Sequence, residues 1–193
     1  MAETSAPRSI AIPLAAFTIG GLVALLVGVF GRIHSPTLEG TTTLGFTTVL
    51  AMKTALTIAI GVLILVQVFT ALWLYGKLGI RAPSMLGAVH RGMGAATLVL
   101  SLFVAYHCLW ALGLEVGHLP DGEPVSARTV VHGLLGCAVL GAIVVKLVAV
   151  RSHRAPGWFL PVAGGLLFSL LVLAVLTSAV WYIVAEGWPG PAS

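Results

Sequence analysis

Charged residues are what this sequence has least of. Only 8% of its 193 residues are Asp, Glu, Lys or Arg, whereas 59% are hydrophobic. A water-soluble domain usually carries about a quarter charged residues, so this composition excludes a water-facing surface over most of the chain. The mean hydropathy is +1.08. The chain is therefore predicted to be an integral membrane protein, and its length fits one helical domain spanning residues 1–193.

Cysteine is also scarce. The two cysteines, Cys108 and Cys137, both lie inside apolar segments, and no Cys-x-x-Cys-His occurs. This excludes covalent attachment of a c-type haem, and no spacing is typical of a zinc site. Because the two cysteines are expected at different depths, we interpret them as packing residues rather than as a disulfide. A soluble catalytic domain, a flavin motif and a nucleotide-binding loop are lacking too, so the sequence does not predict a stand-alone enzyme.

Five apolar segments are long enough to cross a bilayer, since about 20 helical residues span the hydrocarbon core. Ser84 and Ser126 are expected to cap the third and fourth helices. The first segment is interpreted as a helix rather than a signal peptide, because it is long and no small-x-small cleavage site follows it. The predicted all-α membrane bundle has transmembrane helices at residues 10–30, 49–75, 85–114, 127–151 and 158–185.

The distribution of charge predicts the orientation of the bundle. One side holds Lys77, Arg81, Arg91, Lys146, Arg151 and Arg154. The other side holds Glu39, Glu115, Asp121, Glu123 and Glu186, opposed only by Arg32, Lys53 and Arg128. By the positive-inside rule the amino terminus lies inside and the carboxyl terminus outside. The net charge is +4, and the basic residues lie at the ends of the apolar segments. They do not alternate with aromatic residues on a water-facing surface, so nucleic acid is not a predicted partner.

Two histidines point to a cofactor near the outer side. His107 is expected about 10 Å from the outer end of the third helix, and His132 about 9 Å from the same side on the fourth. A ligating side chain at membrane depth is costly and suggests a functional site. Two imidazoles on neighbouring antiparallel helices suggest the axial ligands of one haem b, a low-spin centre suited to electron transfer. Arg128, one turn before His132, is a candidate partner for a propionate.

The inner side is less regular. His90 is expected about 9 Å deep on the third helix. Its histidine counterpart on the fourth helix, His153, lies more than a turn away in depth, whereas Lys146 lies close to the depth of His90. His90, Arg91 and Lys146 therefore predict a cationic inner site that could hold haem propionates, a quinone or a lipid head group. One haem is expected, and a second remains an alternative.

Each of these residues also has a structural interpretation. A buried histidine commonly makes hydrogen bonds within a core, and Arg128 and His153 also serve membrane topology. Small residues on the fourth helix, Gly133, Gly136, Cys137 and Gly141, could admit a macrocycle or simply let helices approach closely. His34 and His118 are expected in solvated outer loops, with His34 close to the outer mouth of the site.

Several segments carry a family resemblance. They are His34-Ser-Pro36, Gln67-Val-Phe-Thr-Ala-Leu-Trp73, His90-Arg91, Ala105-Tyr-His-Cys-Leu-Trp-Ala-Leu-Gly113, Val131-His-Gly-Leu-Leu-Gly-Cys137, Pro156-Gly-Trp158 and Pro161-Val-Ala-Gly-Gly165. Together they resemble a bacterial family of uncharacterised multi-spanning membrane proteins, which implies a bacterial inner (plasma) membrane location. More loosely, histidines on antiparallel helices resemble the cytochrome b561 and ferric-reductase-like transmembrane cytochromes, although the spacings here differ from theirs.

The leading hypothesis is a b-type cytochrome subunit that carries electrons between a quinol pool and an outer-face redox partner, in a respiratory complex. The first alternative is a non-redox structural or assembly subunit whose histidines only make hydrogen bonds between helices. A transporter is the third hypothesis. It is disfavoured because the sequence has no inverted repeat and no apolar segment with an interrupted middle.

Overall fold

The computed structural model describes residues 9–117 and 123–189. The polar residues before Ser9, together with His118 and Asp121 of the third connecting loop, lie outside the described residues. The predictions that used them are therefore not tested by the structure.

All five predicted helices are present, and the fold is all-α. They are α1 (Ala11–Ile33), α2 (Val49–Leu74), α3 (Leu86–Leu112), α4 (Ala127–Arg151) and α5 (Phe159–Glu186). Each is long and apolar enough to cross a membrane. Large apolar side chains remain exposed along them, for example Leu26 at 65% and Leu65 at 63%. The protein is a multi-pass membrane protein, because lipid is the solvent that such surfaces require.

The helix starts show which predicted caps form. The Ser126 hydroxyl accepts a hydrogen bond from the Thr129 backbone N–H at 3.2 Å, so this predicted cap is confirmed. The prediction for Ser84 is wrong: α3 begins one residue later, after Met85, which has helical backbone angles and makes no side-chain cap. A cap not predicted occurs at Thr48, which accepts from the Ala51 N–H at 3.0 Å. Capping requires an extended backbone at the cap residue, which the sequence does not reveal.

The helices are arranged in the order α3, α2, α5, α4, α1, each packed against the next. The closest contact joins α1 and α4, where Gly20 and Gly141 face each other. A Cβ atom built on Gly20 would lie 2.7 Å from the Gly141 carbonyl oxygen. In the described residues α3 and α4 are not among the helix pairs that pack along their lengths, although a single loop joins them. A space is therefore left between α3 and α4.

Two helices contain a π-helical segment beside this space. In α3 it is Cys108–Leu112, and in α5 it is Leu176–Val180. Wider turns of this kind are rare and occur frequently at functional sites. Both segments lie at the end of the bundle where α1, α3 and α5 end and where α2 and α4 begin. We call this the C-terminal end of the bundle, because it also contains the last helical residues that the structure describes.

Candidate functional site

A cavity of about 380 Å³ occupies the C-terminal end of the bundle and is lined by all five helices. Its floor is apolar, because Ile60, Val139 and Leu171 belong to the buried core that α2, α4 and α5 share. Polar groups lie within an otherwise apolar wall, as in many small-molecule sites. The polar and aromatic lining residues include Lys53, Thr54, Thr57, Ser101, Glu115, Arg128, Thr129, His132, Ser178, Trp181 and Tyr182.

Positive charge predominates among the described lining residues. Lys53 is 7% exposed although it lies in a membrane helix. Arg128 is oriented by two groups of α5: it donates to the Thr177 carbonyl at 2.9 Å, and its guanidinium lies 3.6 Å from the centre of the Trp181 ring. Both cations act electrostatically on His132. With Glu115 as the one carboxylate among the described lining residues, the cavity favours ligands that bring hydrogen-bond acceptors or negative charge.

Among the described lining residues, Ser101 has a buried side-chain oxygen without a hydrogen-bond partner. It is 8% exposed, and its Oγ makes no hydrogen bond in the structure. A buried serine in a helix usually bonds to a carbonyl one turn earlier, as neighbouring Thr97 does to Met93 at 2.9 Å. Buried polar atoms without a partner are rare and costly. Because Ser101 lines the cavity, its hydroxyl is available to donate a hydrogen bond to a molecule in that space.

His132 is held in one orientation by α5. Its Nδ1 lies 3.1 Å from Thr177 Oγ1, and that hydroxyl donates its own hydrogen to the Leu173 carbonyl at 2.8 Å. Thr177 must therefore accept from Nδ1–H, which leaves the lone pair on Nε2 of the neutral ring. This matches metal-ligating histidines, whose second nitrogen is usually hydrogen-bonded, and equally suits a group that accepts a proton from a ligand.

His107 occupies a different environment from His132. It is 1% exposed and is not among the residues lining the cavity. Its Nδ1 lies 2.9 Å from the Phe103 carbonyl, and its Nε2 accepts from the Thr42 backbone N–H at 3.2 Å. Both ring nitrogens are thus used by the backbone. In the structure neither nitrogen of His107 is free for iron, and ligation of one haem by His107 and His132 stays a prediction.

The segment around His107 fastens the loop between α1 and α2. The Trp110 indole donates to the Glu39 carbonyl at 2.7 Å, and the Tyr106 hydroxyl donates to the Gly40 carbonyl at 3.2 Å. His34 stacks on Trp110 with ring centres 4.4 Å apart. The Tyr-His-Cys-Leu-Trp sequence therefore mainly holds this loop against α3. His34 takes part in these contacts and does not line the cavity.

The residues opposite His90 come from α2. Its Nδ1 lies 2.8 Å from Thr70 Oγ1, and its backbone carbonyl accepts from the Gln67 side-chain amide at 2.6 Å. Thr70 donates to the Val66 carbonyl at 2.8 Å, so this histidine is oriented in the same way as His132. Lys146 and Arg91 are both close enough to His90 to interact with it electrostatically. The structure therefore places His90 near Lys146, as the sequence predicted for the inner site.

The other two predicted inner residues are exposed. Arg91 is exposed, and its guanidinium lies over Gly87 of its own helix, 3.5 Å from a Cβ built there. His153 is exposed beyond the end of α4. In the described residues, no group of three or more His, Cys, Asp or Glu side chains could hold a metal ion.

The small residues of α4 serve two purposes. Gly141 packs against Gly20 of α1, and Cys137 lies opposite Gly28, also of α1. Gly133 leaves space that is filled by Leu114, whose Cδ1 a Cβ at Gly133 would overlap. Close helix packing explains Gly141, whereas Gly133 and Cys137 also line the cavity. Both cysteines are free thiols.

Sequence reasoning missed several residues of the site. Lys53 had a usable signal, because a lysine several residues inside a predicted membrane helix is unusual. Ser101, Thr177 and Thr70 had none, since Ser and Thr are common in membrane helices and only the positions of neighbouring helices give these residues their roles.

Comparison with known proteins identifies the family of this chain. No curated protein and no solved structure matches the chain. One family, described as a family of unknown function, matches residues 12–190. That range includes every residue named in the cavity and nearly all of the five helices. The chain therefore belongs to the DUF6529 family of unknown function.

Proposed function

We propose that this protein is a membrane subunit that binds the head group of a quinone or quinol in the cavity at the C-terminal end of the bundle, and that it serves electron transfer between the quinol pool and an outer-face redox partner. The observation that carries the proposal is the buried Ser101 hydroxyl without a partner, in a cavity that also contains Lys53 and His132. The volume of about 380 Å³ lies within the usual range for small-molecule sites.

The chemistry of a quinone matches these groups. Its ring is flat and apolar, and its two carbonyl oxygens accept hydrogen bonds. Ser101 Oγ–H and the Lys53 ammonium are donors for such oxygens, while the Ile60, Val139 and Leu171 side chains offer apolar surface for the ring. In the reduced form, a quinol hydroxyl can donate to the free Nε2 of His132. A site with donors and one acceptor can thus hold both redox forms.

Haem b is a second candidate ligand, supported by the shared geometry of His132 and His90. In each, Nδ1 is bound to a threonine hydroxyl and Nε2 is left with its lone pair, the arrangement found in ligating histidines. A redox difference spectrum with haem quantitation tests this candidate. Loss of a b-type absorbance in His132→Ala, with retention in His107→Ala, is the expected result if haem is bound; absence of haem from the purified protein would exclude it.

Quinone binding is tested with the full chain in lipid nanodiscs, titrated with menadione and followed by tryptophan fluorescence. Lys53→Met should weaken binding about tenfold or more, since a hydrogen bond to a charged group contributes about 1.5–3 kcal/mol. Lys77→Met is the matched control, because Lys77 is exposed in the turn after α2. The proposal is wrong if the wild type shows no saturable binding, or if both variants bind equally well. A stable protein that binds neither quinone nor haem would favour the structural or assembly role.

A further inference from the structure

A second opening lies on the lipid-facing surface between α1 and α4. This groove has a volume of about 490 Å³ and is lined by Ala24, Leu25, Gly28, Val29, Arg32, Ile33, Leu114, Leu134 and Cys137. Apart from Arg32 at the end of α1, the lining is apolar. Leu25 is 61% exposed and Leu134 is 55% exposed, so the groove is open towards the bilayer.

Leu114 and Cys137 line both the groove and the cavity at the C-terminal end of the bundle. They form the wall between these two spaces. The Leu114 side chain rests between glycines of two helices: a Cβ on Gly31 of α1 would lie 3.2 Å from Leu114 Cβ, and a Cβ on Gly133 of α4 would overlap Leu114 Cδ1. The wall at this point is therefore one leucine side chain seated in two spaces that glycine leaves open.

A hydrogen bond holds the backbone of Leu114 in place, whereas its side chain makes only van der Waals contacts. Its N–H donates to the Gly31 carbonyl at 2.7 Å, and it lies outside any helix. A leucine side chain can change rotamer without breaking that hydrogen bond. Displacing the side chain would join the groove to the cavity without moving a helix.

We infer that the groove and the cavity form one continuous site for a tailed, membrane-soluble ligand, with the isoprenoid or alkyl tail in the groove and the head group in the cavity, and that Leu114 is the gate between them. The gate rests on the geometry of the wall alone, whereas the identity of the head group rests on the proposed function. Lateral entry agrees with the apolar lining of the groove, because a tail loses no apolar contact when it moves there from lipid.

The tail contribution is tested by filling the groove. Gly28 is suited to this, because a Cβ there makes only ordinary contacts, 3.6 Å from Cys137 Sγ and 4.0 Å from Leu114 Cδ2. Gly28→Leu should weaken binding of a quinone with a ten-carbon tail about tenfold, because the leucine side chain would fill the space of the tail and overpacking is costly. It should leave tailless menadione unchanged. The matched control is Gly21→Leu on the same helix, where a Cβ meets nothing within 4 Å.

A second measurement needs no quinone. In a Cys137→Ser background Cys108 is the only thiol. Cys108 lines the cavity but not the groove, so a lipid-soluble maleimide in the groove must pass Leu114 to reach it. Leu114→Ala should speed this labelling several-fold, Gly28→Leu should slow it, and Gly21→Leu should leave it unchanged. If neither variant changes the labelling rate, the gate is refuted. If labelling behaves as expected but menadione does not bind, the gate stands and the quinone assignment is wrong.

Discussion

Thr177 sets the orientation of His132. The two side chains lie 3.1 Å apart, and Thr177 donates its own hydrogen to a carbonyl one turn earlier on α5. Thr70 orients His90 in the same way, at 2.8 Å. Two histidines in opposite halves of the bundle thus present a free Nε2, whereas His107 uses both nitrogens on the backbone. The equal depth predicted for His107 and His132 therefore does not make their environments equivalent.

Thr177→Val should weaken binding of menadiol, the reduced form of menadione, about fivefold, because the lost hydrogen bond of about 1 kcal/mol no longer orients the His132 Nε2 that accepts from a quinol hydroxyl. Thr70→Val is the matched control, since it removes the equivalent bond to His90, away from the cavity. Titration of both variants in nanodiscs measures the difference. Equal weakening by the two substitutions would contradict a specific role for His132.

Ser101→Ala should separate stability from binding. The ligand-free protein should become more stable by roughly 1 kcal/mol, because a buried oxygen without a partner is removed. Menadione affinity should fall, because the same oxygen is a donor to the ligand. Thermal unfolding and titration provide the two readouts, with exposed Ser169→Ala on α5 as the control. A loss of both stability and binding would mean that Ser101 serves the fold alone.

His107→Ala should act on the loop between α1 and α2. It leaves the Thr42 N–H without its acceptor and opens a buried space, so a loss of roughly 2–4 kcal/mol in stability is expected. His153→Ala, an exposed histidine, should change stability by less than about 0.5 kcal/mol. Denaturation and limited proteolysis of the loop measure both. Unchanged stability in His107→Ala would contradict the structural role assigned to this histidine.

Gly141→Ala should destabilise the bundle by roughly 1–3 kcal/mol, because its Cβ would overlap the Gly20 backbone of α1. Gly165→Ala is the opposite case: a Cβ there meets nothing within 4 Å, and alanine favours the helix by up to about 1 kcal/mol. Thermal unfolding should therefore show shifts of opposite sign. Shifts of the same sign would contradict close α1–α4 packing.

The orientation of the bundle is a separate prediction from the charge distribution. A fluorescent protein fused to the amino terminus should mature in the cytoplasm, and alkaline phosphatase fused to the carboxyl terminus should be active outside. The reverse pattern would place the cavity on the inner side, and the proposed outer-face partner would then be wrong.

Most of the fold could be predicted because hydropathy and length are local properties. The ends of α2 and α4 agree with the predicted ones within a residue, and those of the other helices within three. Ser84 shows the limit: its residue type is typical of a cap, but the backbone of the next residue is already helical. Residue type does not determine backbone angle at a helix end.

The sequence by itself determined the five helices that are long and apolar enough to span a membrane, and the position of each histidine along its helix, because both follow from composition and from the helical rise. Only the tertiary structure decided which way the histidines face. α3 and α4 are joined by a loop but separated by a cavity, so His107 packs under the α1–α2 loop while His132 meets α5, Lys53 and Arg128. Such contacts join residues far apart in sequence, and no local pattern encodes them.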